Sequence, residues 1–493
     1  QDWCRQLVPD FGFVGPAYQA ASITQDDQEL INWYCEVDPN KKAKGITEQD
    51  KRGVIALYPT PGLTTRVTLA AGQPVRALWT LPGGMTLLAV CGNGFYSVDS
   101  TFTATLRGTL SSSAGPVSMK DNGTAAYLVD GGNRYSYDLT TLVFAQIAAG
   151  DGAFTGATVV DIVDNFLVYN DPGAQLFGNT NVGSTVSGAL NFASADSSPD
   201  NLISLIVVSR EVFLLKEKVV EVWTDAGLFP VPFQRITGTN MQHGIAAPFS
   251  VSRLGEGAAW LSQDTRGQGV VIRTSGYQPI RISTHAVEAA IATYGTISDA
   301  IAYTYQQAGH EFYVLSFPTA DVTWVYDLAT ELWHKRAWRD SLGNLHRHRS
   351  NCCAVFQGQI IVGDWENGKL YAMSQTNYTD ADAILPCIRR CPHLVTDLKN
   401  QFFHDLQIQF QPGVGLQVGQ GSNPQAMLEW SDDGGSTWSN QHWASIGLVG
   451  KYKHRAIWRR LGWARDRIFQ VSVTDPVFRV IVSANLNASA GAH

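Results

Sequence analysis

Four stretches of this chain hold residue types that can do chemistry. The run Ser431-Asp432-Asp433-Gly434-Gly435-Ser436-Thr437-Trp438 has the form S-x-D-x-G-x-T-W. Its glycines permit positive φ in a hairpin turn, Asp433 can accept backbone N–H groups across that turn, and Trp438 can pack beneath it. Glycoside chemistry needs in addition a pair of placed carboxylates or a nucleophile. A single copy outside any repeat supplies neither, so the run reads as a structural hairpin. Cys387, Cys391 and His393 form C-x3-C-x-H, with His404 further on. A tetrahedral zinc site is the chemistry to consider there. Pro386 and Pro392 flank the cysteines and no second pair stands at finger spacing, so no metal is expected. His346 and His348, in Leu345-His346-Arg347-His348-Arg349, form a basic loop able to hold a phosphate or carboxylate. Its plainer reading is a solvated loop tip or a subunit contact.

The fourth stretch is the densest in charge. Lys451, Lys453, Arg455, Arg459, Arg460, Arg465 and Arg467 are opposed only by Asp466, with Trp458 and Trp463 interleaved. Facing DNA, each phosphate that such a run neutralises releases counterions. At a subunit interface, the same arginines and tryptophans stack and pair. The net charge of −7 favours the interface over a nucleic-acid coat. The sequence has no Walker A, HExxH or GxSxG motif, and no spacing that supports a nucleophile–base pair. Neither enzymatic activity nor a cofactor is expected.

These segments must be held by many strands. Hydrophobic residues make up 44% of 493, which is enough for a large core, and 46 glycines with 52 aromatic residues suit twisted strands joined by tight turns. Seven cysteines, an odd number with Cys352 and Cys353 adjacent, read as reduced thiols. No signal peptide is visible, and the longest apolar run, Leu202 to Val208, is too short to span a bilayer. The expectation is a soluble protein without direct membrane insertion.

Seven times an apolar, β-prone run ends in an aromatic-then-polar turn, at intervals of 39 to 52 residues. The clearest copies are at Tyr96 to Asp99, Tyr137 to Leu139 and Tyr326 to Leu328. Weaker ones lie at Phe177, Trp223, Ser275 to Tyr277 and Tyr371. This period, with several short strands per unit, predicts a β-propeller of six or seven blades over residues 67–392. Only Thr284 to Ala292 has helical spacing. Residues 1–66 lie outside the repeat and predict an extended arm, with Lys41 to Gly45 an exposed loop. That arm ends at Tyr58-Pro59-Thr60-Pro61-Gly62-Leu63, where two prolines fix φ before a turn. Residues 393–493 alternate strictly in several stretches, as at Asp405 to Gln411, and predict a separate β-sandwich or small barrel. The fold class is therefore all-β.

With these motifs in hand, the chain resembles the packaged-DNA stabilisation proteins, or tail hubs, of short-tailed bacteriophages. Three stretches carry the likeness. Gln28 to Glu36, with Asn32, Tyr34 and Glu36, leads to the Tyr58–Leu63 turn. Gln242-His243-Gly244-Ile245-Ala246 follows the Val219–Trp223 strand. Arg455 to Gly462 and Arg465 to Val473 close in Thr474-Asp475-Pro476-Val477. The resemblance implies a non-enzymatic hub, a homohexameric ring below the portal and its adaptor. Such a hub carries tail fibres or tailspikes around it and a needle or plug below, with double-stranded DNA passing through. It implies a protein of the virion tail, assembled in the host cytoplasm. It makes Asn32, Tyr34, Tyr58, Pro59, Pro61 and Leu63 the expected adaptor or subunit contact arm. The basic run from Lys451 to Arg467 becomes the expected interface or DNA-channel surface. Because the Asp-box also recurs in sialidase propellers, the alternative reading is a carbohydrate-binding or glycoside-hydrolase-like propeller.

Overall fold

The computed structural model describes residues 6–9, 11–37, 55–263, 267–396 and 399–491. The expected Lys41–Gly45 loop lies outside them. Seven four-stranded antiparallel blades follow one another among the described residues, five as separate sheets and the last two as parts of larger sheets. The first strands of the blades are Val75–Thr80, Ser118–Asp121, Val160–Val163, Leu202–Val208, Ser252–Leu254, Ile301–Gln307 and Ser350–Phe356. The seven repeated turns fall on or at the end of the third strand of each blade, from Gly94–Asp99 in blade 1 to Lys369–Ser374 in blade 7. The recurrence has a local cause. Asp99 Oδ1 accepts the backbone N–H groups of Thr101 and Thr103, both at 2.9 Å. Asp138 Oδ1 does the same for Thr140 and Thr141 at 2.9 and 2.7 Å. An aspartate that ends a strand and caps its turn fixes where the fourth strand starts.

Apolar side chains from facing blades fill the gaps between them. Phe177 of blade 3 meets Trp223 of blade 4 edge-on, with ring centroids 5.1 Å apart. Strands covered on both faces, such as Leu202–Val208, are accordingly apolar almost throughout. The helix His285–Ala292 follows blade 5, and the Thr284 hydroxyl caps it by accepting the Val287 N–H.

The ring is closed by residues from the start of the chain. Gly62–Thr68 is the outer strand of blade 7, antiparallel to Lys369–Ser374 with Leu63 opposite Met373. Gly62 is required by space, because a Cβ there would stand 2.5 Å from the carbonyl oxygens of Asn377 and Thr379. The preceding segment joins the sandwich rather than forming a separate unit. Trp33–Val37 and Ile55–Pro59 extend one sandwich sheet, whose other strands include Ile481–Ala490, Gln401–Phe410 and Ala456–Arg459. Glu29–Ile31 lies between the last strand of blade 6, Leu332–Arg339, and Cys387–Arg390 of the second sandwich sheet. Hydrogen bonding therefore runs without a break from blade 6 into the sandwich. The sandwich core includes Trp33, Leu57, Phe403, Leu406, Trp458 and Phe469.

Candidate interface and channel surfaces

The basic segment divides by strand alternation. Ala456–Arg459 is an edge strand that pairs with Gln401–Phe410, placing Trp458 opposite Leu406 and Arg459 opposite Asp405. Trp458 therefore points inward, and its Nε1 donates to the His442 carbonyl at 2.7 Å, tying the two sheets together. Arg467 is only 2% exposed. Its guanidinium donates to both oxygens of Asp432 at 2.6 and 2.7 Å, and it lies over the rings of Phe403 and Trp430. These two residues, expected at an interface or channel, serve inside the sandwich. The remaining cations, Lys451, Lys453, Arg455, Arg459, Arg460 and Arg465, are exposed. Among the described residues none of them is in an ion pair. Trp463 is 58% exposed and sits opposite the exposed Phe402. An aromatic pair flanked by unpaired arginines results.

The segment also contains apolar surface that charge counting missed. Tyr452 is 73% exposed and packs over Gly413, while Val449 lies against Gly415. Leu416, Val418 and Leu448 of the same two loops are exposed as well. Apolar residues interleaved with glycine in Gly413-Val414-Gly415-Leu416-Gln417-Val418-Gly419 were the available signal.

The segment expected as a contact arm is engaged within the chain. Asn32 is fully buried. Its Nδ2 donates to the carbonyls of Ala337 and Pro386 at 2.8 and 2.7 Å. Tyr34 packs against His310 and Phe312, with centroids 5.3 and 5.5 Å away. Pro59, Pro61 and Leu63 are buried and Tyr58 half-buried. The polar centre of this seam is His310, which the sequence did not mark. Its ring nitrogens lie 2.7 Å from Asp327 and 2.7 Å from Glu36. The bonds to Asp327 raise its pKa to about 9, burial opposing and Glu36 adding to the rise.

The basic loop Leu345–Arg349 is not a solvated tip. Arg347, His348 and Arg349 are buried. Arg349 lies 3.7 Å from the centre of the Trp338 ring and pairs with Asp364 at 3.1 Å. Burial, helped by Arg336 and Arg349, drives His348 down to about 3, so it stays neutral. His346 bridges Asp321 and Asp340, and hydrogen bonding to Asp321 raises its pKa.

Cys387 and Cys391 are buried, and burial raises both thiols, Cys391 to about 12. Arg479 Nε donates to the Cys387 sulfur at 3.0 Å, and the Phe469 N–H to that of Cys391 at 3.2 Å. His393 is held by Asp466 at 2.8 Å. Among the described residues no cluster of three or more metal-ligating side chains occurs. In the Asp-box, Asp433 Oδ1 accepts from Thr437 N and the Ser431 hydroxyl at 2.8 and 2.7 Å. These bonds, with that of the Thr437 hydroxyl foremost, lower its pKa to about 2. Arg390 covers Trp438. The box is a hairpin lock.

The central channel of the propeller is narrow. Its cavity is about 260 Å³, lined by first-strand residues including Leu78, Lys120, Asp161, Ile206 and Ile301. A duplex whose major groove alone is about 12 Å wide and 8.5 Å deep does not enter such a space.

Comparison with known proteins follows the same division. A family model described as bacteriophage P22 Gp10, β-propeller, matches residues 46–378, and one described as bacteriophage P22 Gp10, β-sandwich, matches residues 389–489. No curated protein matches the chain. Solved structures similar to it include the N-terminal domain of Nup159 (11% identity, TM-score 0.41, covering 64% of this chain and 95% of that one). The WD40 propeller of Doa1 is another (11%, 0.39, 63% and 96%). A third is the extracellular domain of the one-component system BT4673 from B. thetaiotaomicron (10%, 0.43, 80% and 48%).

Proposed function

The chain belongs to the bacteriophage P22 Gp10 family of tail hub and DNA-stabilisation proteins, and from that premise we propose how this hub is built and used. It is a structural protein of the phage tail. Copies assemble side by side as a ring, six in the arrangement the family resemblance suggests, below the portal adaptor. Fibres or spikes attach around the ring and a plug closes it. DNA passes along the axis between subunits.

The observation that carries this reading is the narrow propeller channel. A conduit for a duplex is then made by several copies together, because the propeller channel of one copy is too narrow for it. The exposed basic face of the sandwich suits the lateral contact. Taking its six cations from the net charge of −7 leaves −13 on the rest of the chain. A head-to-tail contact between that face and a neighbour's acidic surface is electrostatically favourable and repeats around a ring. Trp463, with Phe402 beside it and Arg460 and Arg465 near in sequence, is the aromatic anchor such interfaces use. Native mass spectrometry of the protein with adaptor, beside electron microscopy of the particles, tests the reading. A ring with DNA density between subunits is expected. A monomer in every condition, or density threading a propeller, overturns it.

A further inference from the structure

We propose that the cleft between blades 6 and 7, beside the linker to the sandwich, binds an acidic sugar, either a sugar carboxylate or a sugar phosphate. The cleft has a volume of about 610 Å³, in the range of about 300–1,000 Å³ usual for small-molecule sites. Arg339 contributes from the end of blade 6, Lys369 from the third strand of blade 7, and Asp380 from the strand Thr379–Asp380 that follows.

One buried, unpartnered carboxyl and two half-buried cations line this one space. Asp380 is 1% exposed and neither of its carboxyl oxygens has a hydrogen-bond partner. Arg339 and Lys369 have no carboxylate partner among the described residues. The other charges nearby are already engaged. Arg349 pairs with Asp364 and Glu366, Tyr371 donates to Asp364 at 2.5 Å, and Asp340 is held by His346 and Asn344. A buried polar group without a partner is costly, which applies to Asp380, while the half-buried Arg339 and Lys369 beside it stand ready to take an anionic group of the same ligand. An aprotic inorganic anion leaves Asp380 without donors, and hydrogen phosphate supplies only one or two. A simple cation leaves Arg339 and Lys369 without an acceptor, and a neutral sugar offers them hydroxyl acceptors but no negative charge. A sugar acid brings hydroxyl donors for Asp380 and an anionic group for the two cations. Burial pushes the Asp380 carboxyl up to about 7, with Arg349 opposing and Asp364 reinforcing the rise. Near neutral pH it can therefore both donate to and accept from hydroxyls.

Isothermal titration of the full chain with glucuronate and with glucose 6-phosphate tests this, with glucose and inorganic phosphate as controls. Saturable binding of one of the two acids is expected, tighter than either control; which acid binds distinguishes carboxylate from phosphate. Asp380→Asn, which keeps size and fold, should weaken it by about tenfold or more, the loss of one buried hydrogen-bonded contact. Arg339→Ala with Lys369→Ala should reduce the acid sugar to the level of glucose. The proposal is overturned if neither acid binds up to about 10 mM, a concentration that detects even millimolar affinity. It is equally overturned if inorganic phosphate binds as well as glucose 6-phosphate and Asp380→Asn changes nothing.

Discussion

The side chain of Asn32 and the backbone of Ala337 bond to each other reciprocally. Asn32 Nδ2 donates to the Ala337 carbonyl at 2.8 Å, and the Ala337 N–H donates to Asn32 Oδ1 at 3.0 Å. The backbone of Asn32 meanwhile accepts from Thr60 N at 3.0 Å and donates to the Lys335 carbonyl at 2.9 Å. One residue thus joins the start of the chain, the last strand of blade 6 and the linker into the sandwich. Its φ of 56° is a left-handed value that asparagine tolerates and most residues do not. Asn32→Ala should destabilise the protein by about 2 kcal/mol or more, since it strands buried backbone groups at about 1–3 kcal/mol each. Asn32→Gly relieves the backbone strain but not the lost bonds, so it should recover only part. Denaturant unfolding of the three proteins checks this. Asn32→Gly unfolding like the parent would show the side-chain bonds to be unimportant.

His310 makes the same seam sensitive to pH. Its folded pKa of about 9 lies above the ordinary 6.5, so protonation favours the folded state. The stabilisation is complete below about pH 6.5 and is lost as pH rises through 9. The midpoint of urea unfolding, followed from pH 6 to 10, should fall across that window. In His310→Gln the fall should flatten, because the replacement does not titrate. An equal slope in both proteins would remove His310 as the cause.

Trp458 and Trp463 should separate folding from assembly. Trp458 is buried and bonded to His442, so Trp458→Ala should cost about 3–5 kcal/mol of stability, as large-to-small core changes do. Trp463→Ala removes an exposed ring and should leave the unfolding midpoint nearly unchanged while weakening the ring by about 2 kcal/mol or more per contact. Thermal unfolding and native mass spectrometry of both variants read the two effects. If Trp463→Ala assembles like the parent, the contact lies elsewhere.

How much of this was readable beforehand depended on the distance over which each signal acts. The turns at Asp99, Asp138 and Asp327 are local devices, and their recurrence with four weaker copies marked a propeller of six or seven blades. The alternation at Asp405 to Gln411 likewise marked a sandwich strand, and the turn chemistry of Ser431–Trp438 identified a hairpin. The roles of Asn32, Tyr34 and Leu63 were not legible, because their partners lie hundreds of residues away and pairing across such distances leaves no periodic trace. For the same reason the first 66 residues read as an arm, although their described strands are shared between blade 7 and the sandwich. The basic run misled at two places. Charge alone cannot tell Arg459 from Arg467, whereas strand alternation, once the register is known, exposes one and buries the other.

Truncation from the start of the chain should reveal how the two domains share that segment. Removing residues 1–57 takes away Glu29–Ile31, Trp33–Val37 and most of Ile55–Pro59, including Trp33, whose Nε1 donates to the Arg479 carbonyl at 2.9 Å. It leaves Gly62–Thr68 to close blade 7. The sandwich should lose its order, since Trp33, Cys35 and Leu57 belong to its core, while the propeller remains closed. Removing residues 1–68 deletes the closing strand too. Lys369–Ser374 then becomes an open edge, and Leu370, Tyr371 and Met373 lose the cover of Leu63 and Val67. The longer deletion should therefore unfold or aggregate where the shorter one keeps a protease-resistant propeller core. Limited proteolysis with mass spectrometry distinguishes the two. An intact propeller fragment from both truncations would show that blade 7 does not depend on the strand at Gly62–Thr68. Loss of the propeller from both would show that the sandwich and blade 6, joined through Glu29–Ile31, fold only as one unit.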